Sequence, residues 1–377
     1  MAGIYLHIPF CKQACHYCDF HFTTSLKYKD ELMKAMHREL ELQQNYLAGQ
    51  KVETIYFGGG TPSLIGAASI EQFIDKISSL FPVIPDAEIT LEANPDDLTA
   101  AAVQAFRKTS INRFSIGIQS FFEEDLRWMN RAHNDSEAES SIKRVQDAGF
   151  ENITIDLIYG YPLLSDEKWK VNLKTAIHSA VPHISAYSMT VEPQTALAAF
   201  IRKGKQQDMN EAQSAAQFSQ MIELLEQSGY QQYEISNFAK PGHYSRHNTN
   251  YWKNVPYLGI GPSAHSFNGH TRQWNISNNS KYIESLHKAS LPAQIEELSL
   301  NDRYNEYIMT SLRTMWGTSL VKIEQDFGHD YHGSMIKNLQ KFLKKELIII
   351  ENETVKLSAS GKLFADKIAS ELFITED

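Results

Sequence analysis

Gly3-Ile4-Tyr5-Leu6-His7-Ile8-Pro9-Phe10-Cys11-Lys12-Gln13-Ala14-Cys15-His16-Tyr17-Cys18 decides how this chain is read. Gly3–Ile8 is rich in β-branched and aromatic residues and is predicted to be a strand, stopped by Pro9. The only three cysteines follow at once, spaced C-x3-C-x2-C. An odd number of thiols packed into eight residues is not a disulfide framework; it reads as reduced thiols for metal or redox chemistry, in a cytoplasmic setting. Three thiolates on a four-iron cube leave one iron open to a small molecule. Two other uses stay open at this point: a zinc site completed by His7 or His16, and a redox pair at Cys15 and Cys18. A c-type haem attachment is excluded, because Asp19 follows Cys18 where histidine is required.

Working outward, five more segments carry strand character: Glu53–Phe57, Ala87–Glu92, Arg113–Ile118, Asn152–Ile158 and His183–Met189. Between them Ile70–Phe81, Ala100–Thr109, Ser136–Ala148 and Glu167–Ala180 have helical periodicity. Alternation of this kind predicts an α/β fold of parallel strands with helical crossovers. The unusual residues cluster at strand ends: the cysteine loop, Gly58-Gly59-Gly60-Thr61-Pro62, Glu92, Gln119, Asp156 and Tyr187. In a parallel barrel those ends form the rim that carries the active site. Six strands rather than eight predict a partial (β/α)6 TIM-like barrel, open on one side to a large planar ligand. Taken singly, Glu92 and Asp156 also read as helix or turn caps, and Arg131 as a surface ion-pair partner.

Past residue 200 the pattern changes. Met209–Gln227 reads as helix and Tyr230–Ser236 as extended, whereas Pro241–Trp274 is rich in His, Asn, Gly and aromatics with little periodicity. Helices at 302–315 and 333–344, a hairpin of Glu346–Glu351 and Thr354–Leu357 turned by Asn352-Glu353, and a last helix over 360–372 predict a small winged-helix-like unit. The expected division is 1–235, 236–298 and 299–377, with the acidic end Thr375-Glu376-Asp377 expected to fray. The net charge of −9 over 377 residues disfavours nucleic acid, and Lys337–Lys345 reads as a solvated helix face. No apolar run is long enough to span a membrane, and no secretory signal opens the chain.

C-x3-C-x-Tyr-C directly after a first strand, with Gly-Gly-Gly-Thr-Pro after the second, resembles the signature of the radical-SAM superfamily. In that family a [4Fe–4S] cluster chelates S-adenosylmethionine (SAM) through its open iron, and reduction yields a deoxyadenosyl radical. The likeness extends through His7–Cys11, Glu92-Ala93-Asn94-Pro95, Ser115–Phe121, Arg131-Ala132-His133 and Asp156–Gly160. Together these resemble the oxygen-independent coproporphyrinogen III oxidases and their relatives, the haem chaperones of the HemW type. The resemblance implies a cluster on Cys11, Cys15 and Cys18, with Tyr5, Gly59 and Glu92 at the SAM bound to it and Tyr17 among the cofactor-binding residues. Gly60, Thr61, Gln119, Arg131 and Asp156 match positions that hold a second SAM in the oxidase.

Two departures point away from the oxidase and its decarboxylation. Phe20 stands where the oxidase has a further cysteine, and the ligands begin at residue 11, where the oxidase has a longer N-terminal extension. Arg246-His247-Asn248-Thr249-Asn250-Tyr251-Trp252 matches the HNxxYW pattern of the chaperones and makes His247 the preferred haem ligand, over His243, His265 and His270. What the resemblance implies is therefore binding of haem, in segment 236–298, and its delivery to recipient haem proteins, respiratory enzymes among them. A monomer or homodimer and peripheral membrane contact both fit. The alternative is a true coproporphyrinogen oxidase. A zinc-bearing DNA regulator, resting on the C-terminal unit, is disfavoured by the charge.

Overall fold

The computed structural model describes residues 1–375; Glu376 and Asp377, where fraying is expected, lie outside the described residues. Six strands form in the expected order: β1 (Ala2–Ile8), β2 (Val52–Gly59), β3 (Val83–Ala93), β4 (Arg113–Gln119), β5 (Ile153–Tyr159) and β6 (His183–Ser188). Each runs parallel to the next. The crossover helices Ala100–Phe106, Asp135–Asp147 and Asp166–His178 start at Thr99, Asn134 and Ser165, whose side chains accept a backbone N–H three residues on. Each such cap stabilises its helix by about 1 kcal/mol. Ala67–Leu80 turns Ile70, Phe73, Ile74 and Ile77 onto the sheet, the stripe its periodicity predicts.

Strand alternation assigns apolar side chains to one face and polar ones to the other. Ile4, Leu6, Ile8, Ile55, Phe57, Leu91, Phe114, Ile116, Ile155, Leu157 and Ile184 are buried in the main hydrophobic core. The alternate residues of the same strands, Tyr5, His7, Tyr56, Glu92, Arg113, Ser115, Thr154, Asp156, His183 and Ser185, line a single cavity. Because all six strands face that cavity, the sheet curves into a barrel whose inside is polar and whose core lies outside, under the helices.

The six strands do not close on themselves. β7 (Gln231–Glu234) pairs with β8 (Asn237–Ala239), and β8 adds antiparallel to β6. On the other margin β9 (Tyr257–Ile260) adds parallel to β1, followed by β10 (His265–Phe267), β11 (Thr271–Asn275) and β12 (Ala293–Glu297). The sheet thus has twelve strands, and the segment whose periodicity was lacking supplies three of them in full or in part. Short strands of three to five residues leave too few alternations to register as a period. Between β8 and β9 runs the helix Arg246–Trp252, so one stretch of chain passes from one margin of the barrel to the other. Glu39, on the helix Lys29–Leu42, fastens this extension: it accepts from the Gly261 N–H at 2.8 Å, Asn275 Nδ2 at 2.6 Å and the Tyr282 hydroxyl. Burial lifts its carboxyl to about 7 against these three donors, which favour the ionised form.

The C-terminal unit has its own core of Tyr304, Ile308, Leu312, Ile323, Met335, Leu339, Phe342 and Val355. Helices Leu300–Leu312, Leu320–Phe327 and His329–Leu343 pack on a small sheet of β13 (Thr318–Ser319), β15 (Thr354–Leu357) and β14 (Ile348–Glu351), in that order. Asn352 and Glu353 both adopt positive φ, as a two-residue hairpin turn requires. The short helix Leu320–Phe327 was not anticipated. The expected last helix is a 3-10 turn, Gly361–Phe364, followed by Ala365–Ser370; Gly361 packs so closely that an added side chain would lie 1.8 Å from the Leu347 carbonyl oxygen.

Candidate functional site

The cavity has a volume of about 890 Å³ and runs from the cysteine loop at the rim to the helix Arg246–Trp252 at the floor. At the rim, Cys11 N–H donates to the Thr23 carbonyl at 3.0 Å and Thr23 N–H to the Pro9 carbonyl at 2.7 Å, pinning the base of the loop. The loop after β2 packs directly against it. Gly60 N–H donates to the Ile8 carbonyl at 2.9 Å, and a Cβ there would lie 2.7 Å from the Phe10 oxygen and 3.0 Å from Cys11 Sγ. Gly59 has φ +108° and sits against the His7 ring. Both glycines are demanded by contact. Thr61 donates from its hydroxyl to Cys11 Sγ at 3.7 Å and accepts from Asn94 at 3.0 Å, so it braces the loop.

Arg131 is not a surface ion-pair partner. Its guanidinium donates to Asn94 Oδ1 at 2.6 Å, the Gly117 carbonyl at 2.9 Å and Cys15 Sγ at 3.4 Å, and its Nε is buried without a partner. Gln119 ends β4 in the left-handed region, φ +66°, and lines the cavity beside it. Tyr17 lines it too, its phenol kept neutral by burial.

The donor set fits an iron–sulfur cluster better than closed zinc. His7 Nε2 donates to the His21 carbonyl at 2.8 Å and His16 Nδ1 to that of Trp128 at 2.9 Å, so one backbone bond orients each candidate zinc imidazole, and the spacing of the ligand atoms decides. Tetrahedral zinc with Zn–S bonds of about 2.3 Å would draw its sulfurs to about 3.8 Å apart. Among the described residues, the group of His, Cys, Asp and Glu whose ligand atoms all approach within 4.8 Å is Glu324, His329 and His332, far along the chain, and not the cysteines. Burial pushes the Cys18 thiol up to about 12 and raises Cys11, so binding iron must displace protons.

Below the rim, Tyr5 stacks on Tyr56, ring centres 6.1 Å apart, and the Tyr56 hydroxyl donates to Glu92 at 2.7 Å. Burial lifts Glu92 to about 7 and Asp156 to about 6; Asp156 accepts from Ser115 Oγ at 3.3 Å. Neither caps a helix. Two buried carboxyls poised near neutrality are suited to accept ribose hydroxyls or an ammonium group.

At the floor, Glu88 accepts from the N–H groups of Arg246 and His247, each at 3.0 Å, and so holds the start of Arg246–Trp252 across the bottom of the barrel. His247 lies inside. Its Nδ1 meets Thr54 Oγ1 at 2.8 Å, and its ring stacks on Tyr56 at 4.9 Å. Surrounded by protein yet open to the cavity, it is held near 3, first by burial and then by Arg113, and is therefore neutral. Arg113 is 2% exposed, 3.9 Å from Glu88, and donates to Thr154. The rest of the HNxxYW stretch stiffens the helix: Trp252 Nε1 donates to Asn248 Oδ1 at 3.1 Å, and Asn250 to Glu53 at 3.0 Å.

Residues 5–176 match the Radical SAM superfamily and residues 298–364 the HemN C-terminal domain. The chain is 32% identical over 371 residues to the haem chaperone HemW of Bacillus subtilis, covering 98% of both chains. It belongs to the HemW family. The Escherichia coli HemW is 38% identical over 268 residues, 70% of this chain and 69% of that one. The solved structure of E. coli coproporphyrinogen III oxidase, HemN, a radical-SAM enzyme, superposes with a TM-score of 0.85 at 24% identity, over 99% of this chain and 90% of that one, and shows a shared fold.

Every sequence-predicted residue of this HemW-family chain lines the one cavity: the three cysteines, Tyr5, Tyr17, Gly59, Gly60, Thr61, Glu92, Gln119, Arg131, Asp156 and His247. Sequence reasoning missed Tyr56, Arg113, Thr154 and His183. The available signal was strand alternation: Tyr56 pairs with Tyr5 across the ladder and Thr154 stands two residues before Asp156 on β5, whereas Arg113 and His183 open their strands away from any identified residue.

Proposed function

We propose that this chain binds haem and passes it to haem proteins. Cys11, Cys15 and Cys18 would hold a [4Fe–4S] cluster, and the residues from Tyr5 to Asp156 that line the upper cavity would hold SAM. When bound, these groups supply radical chemistry or a ligand-dependent state of the site. The single observation that carries the reading is that the cysteine loop and the helix bearing His247 share one cavity. The family kinship agrees with it. The chain's own residues bind and orient: Arg131 bridges Asn94 and Cys15, and Glu92 and Asp156 offer acceptors. Phe20 lines the mouth, 66% exposed, and offers no metal ligand where the oxidase has a cysteine. The division into barrel (1–235), haem-binding extension (236–298) and C-terminal unit (299–377) belongs to the same proposal.

Among the described residues no helix is long and apolar enough to cross a membrane. The test is a turnover assay on anaerobically reconstituted protein given coproporphyrinogen III, SAM and reductant, with porphyrins read by chromatography. No decarboxylated porphyrin is expected. Protoporphyrinogen formed with an intact cluster overturns the chaperone reading in favour of the oxidase.

A further inference from the structure

Five histidines line the cavity, and four have a ring nitrogen engaged in holding the fold. His7 is bonded to the His21 carbonyl at 2.8 Å and His21 to Asn279 at 2.7 Å. His183 meets the Tyr233 hydroxyl at 2.8 Å, and His247 meets Thr54 at 2.8 Å. Among the described residues His265 is the exception: its ring nitrogens make no hydrogen bond, and the side chain is exposed.

Its backbone, by contrast, is fixed. His265 opens β10 and faces Trp274 directly across the antiparallel ladder, with the rings stacked at 6.2 Å and 25°. Ser263 before it takes φ +67°, and Asn275 N–H donates to the Ala264 carbonyl at 2.9 Å. Behind it, Gly259 leaves room for nothing: a Cβ there would lie 2.0 Å from the His265 carbonyl oxygen. Ser266 Oγ accepts the Gly259 N–H at 2.9 Å and completes the clamp. A rigid strand therefore presents a free imidazole against an indole face. Partial desolvation against the cavity wall, and then Arg272, lower its pKa from the ordinary value, which keeps a lone pair available at neutral pH.

Position separates it from His247. Phe267 pairs with Tyr257, which places His265 level with Gly259 and hence with Tyr5 on β1. His247 packs lower, against Gly3. We propose that His265 is a ligand to haem iron, reached before His247 by a porphyrin entering from the rim. The proposal rests on the haem reading above. The step is ligand exchange: a ring nitrogen donates its lone pair to iron, a water or other weak ligand leaves, and no electron is transferred. The stacked Trp274 restricts the ring plane and leaves both ring nitrogens unengaged.

Ferric haem titrated into the anaerobically reconstituted full chain tests this by electron paramagnetic resonance, because the oxidised cluster is diamagnetic and the haem signal stands alone. Wild type, His265→Ala, His265→Gln and His247→Ala are compared, with iron, sulfide and circular dichroism checking that each is folded and loaded. His265→Ala is expected to lose the histidine-ligated signature and to bind haem about tenfold more weakly, with added imidazole restoring the signal. His265→Gln should behave likewise. An unchanged signature and affinity in both His265 variants overturns the proposal while leaving the haem reading intact. A wild-type protein that binds no haem overturns both.

Discussion

The two ends of the chamber are built by opposite means. At the rim, loops carry the chemistry, and glycines let them pack within van der Waals contact of Cys11. At the floor, charged side chains on strands do the work: Arg113 and Glu88 are both nearly inaccessible, and Glu88 holds the helix that seats His247. Replacing a rim cysteine is therefore expected to act on the chemistry, whereas replacing Arg113 or Glu88 at the floor is expected to act on the fold.

The largest effect expected is chemical. Cys15→Ala should abolish cluster loading, read as iron and sulfide per chain, with the melting temperature of the metal-free protein nearly unchanged. A collapse in metal-free stability would break the contrast. Next, Arg113→Met leaves Glu88 facing the floor without its cation. Urea denaturation should show a loss of roughly 3 kcal/mol, the scale for removing one member of a buried pair. A loss below about 1 kcal/mol would mean that the helix N–H groups alone satisfy Glu88.

A pH test probes the middle of the chamber. Glu92 is raised in the folded state to about 7 from 4.5, so its protonated form favours folding. That contribution is complete below about pH 4.5 and is lost as pH rises through about 7, on the order of 2 kcal/mol in a partly wet site. Histidines held low, such as His7 near 4, act in the opposite sense, so the comparison must be between wild type and Glu92→Gln. The substituted, metal-free protein should lose less stability between pH 5 and 7.5; identical slopes would show that the cavity is well solvated at Glu92. Smallest of all, Phe20→Ala should shift stability by no more than about 0.5 kcal/mol, since the side chain is exposed.

Much of the rim was legible in the sequence. Cys11, Cys15, Cys18, Gly59 and Glu92 sit at or just past strand ends, where a parallel barrel must gather them, whereas Asp156, expected near an end, lies in the middle of β5. The floor was not. Arg113 and Thr54 stand at the starts of strands, positions that in a parallel barrel read as scaffold. Glu88 joins residues 158 and 159 positions away, which no local pattern records. The added strands β9 to β11 escaped notice because each is too short for its period to show, and His247 was identified by motif while its burial was not.

The helix between β8 and β9 also joins the two margins that the six-stranded barrel leaves apart, one beside β6 and the other beside β1. It is held from inside by Glu88 on β3 and by the contact of His247 with Thr54 on β2. A ligand taken by His247 would therefore sit on a stretch of chain that runs between the two margins.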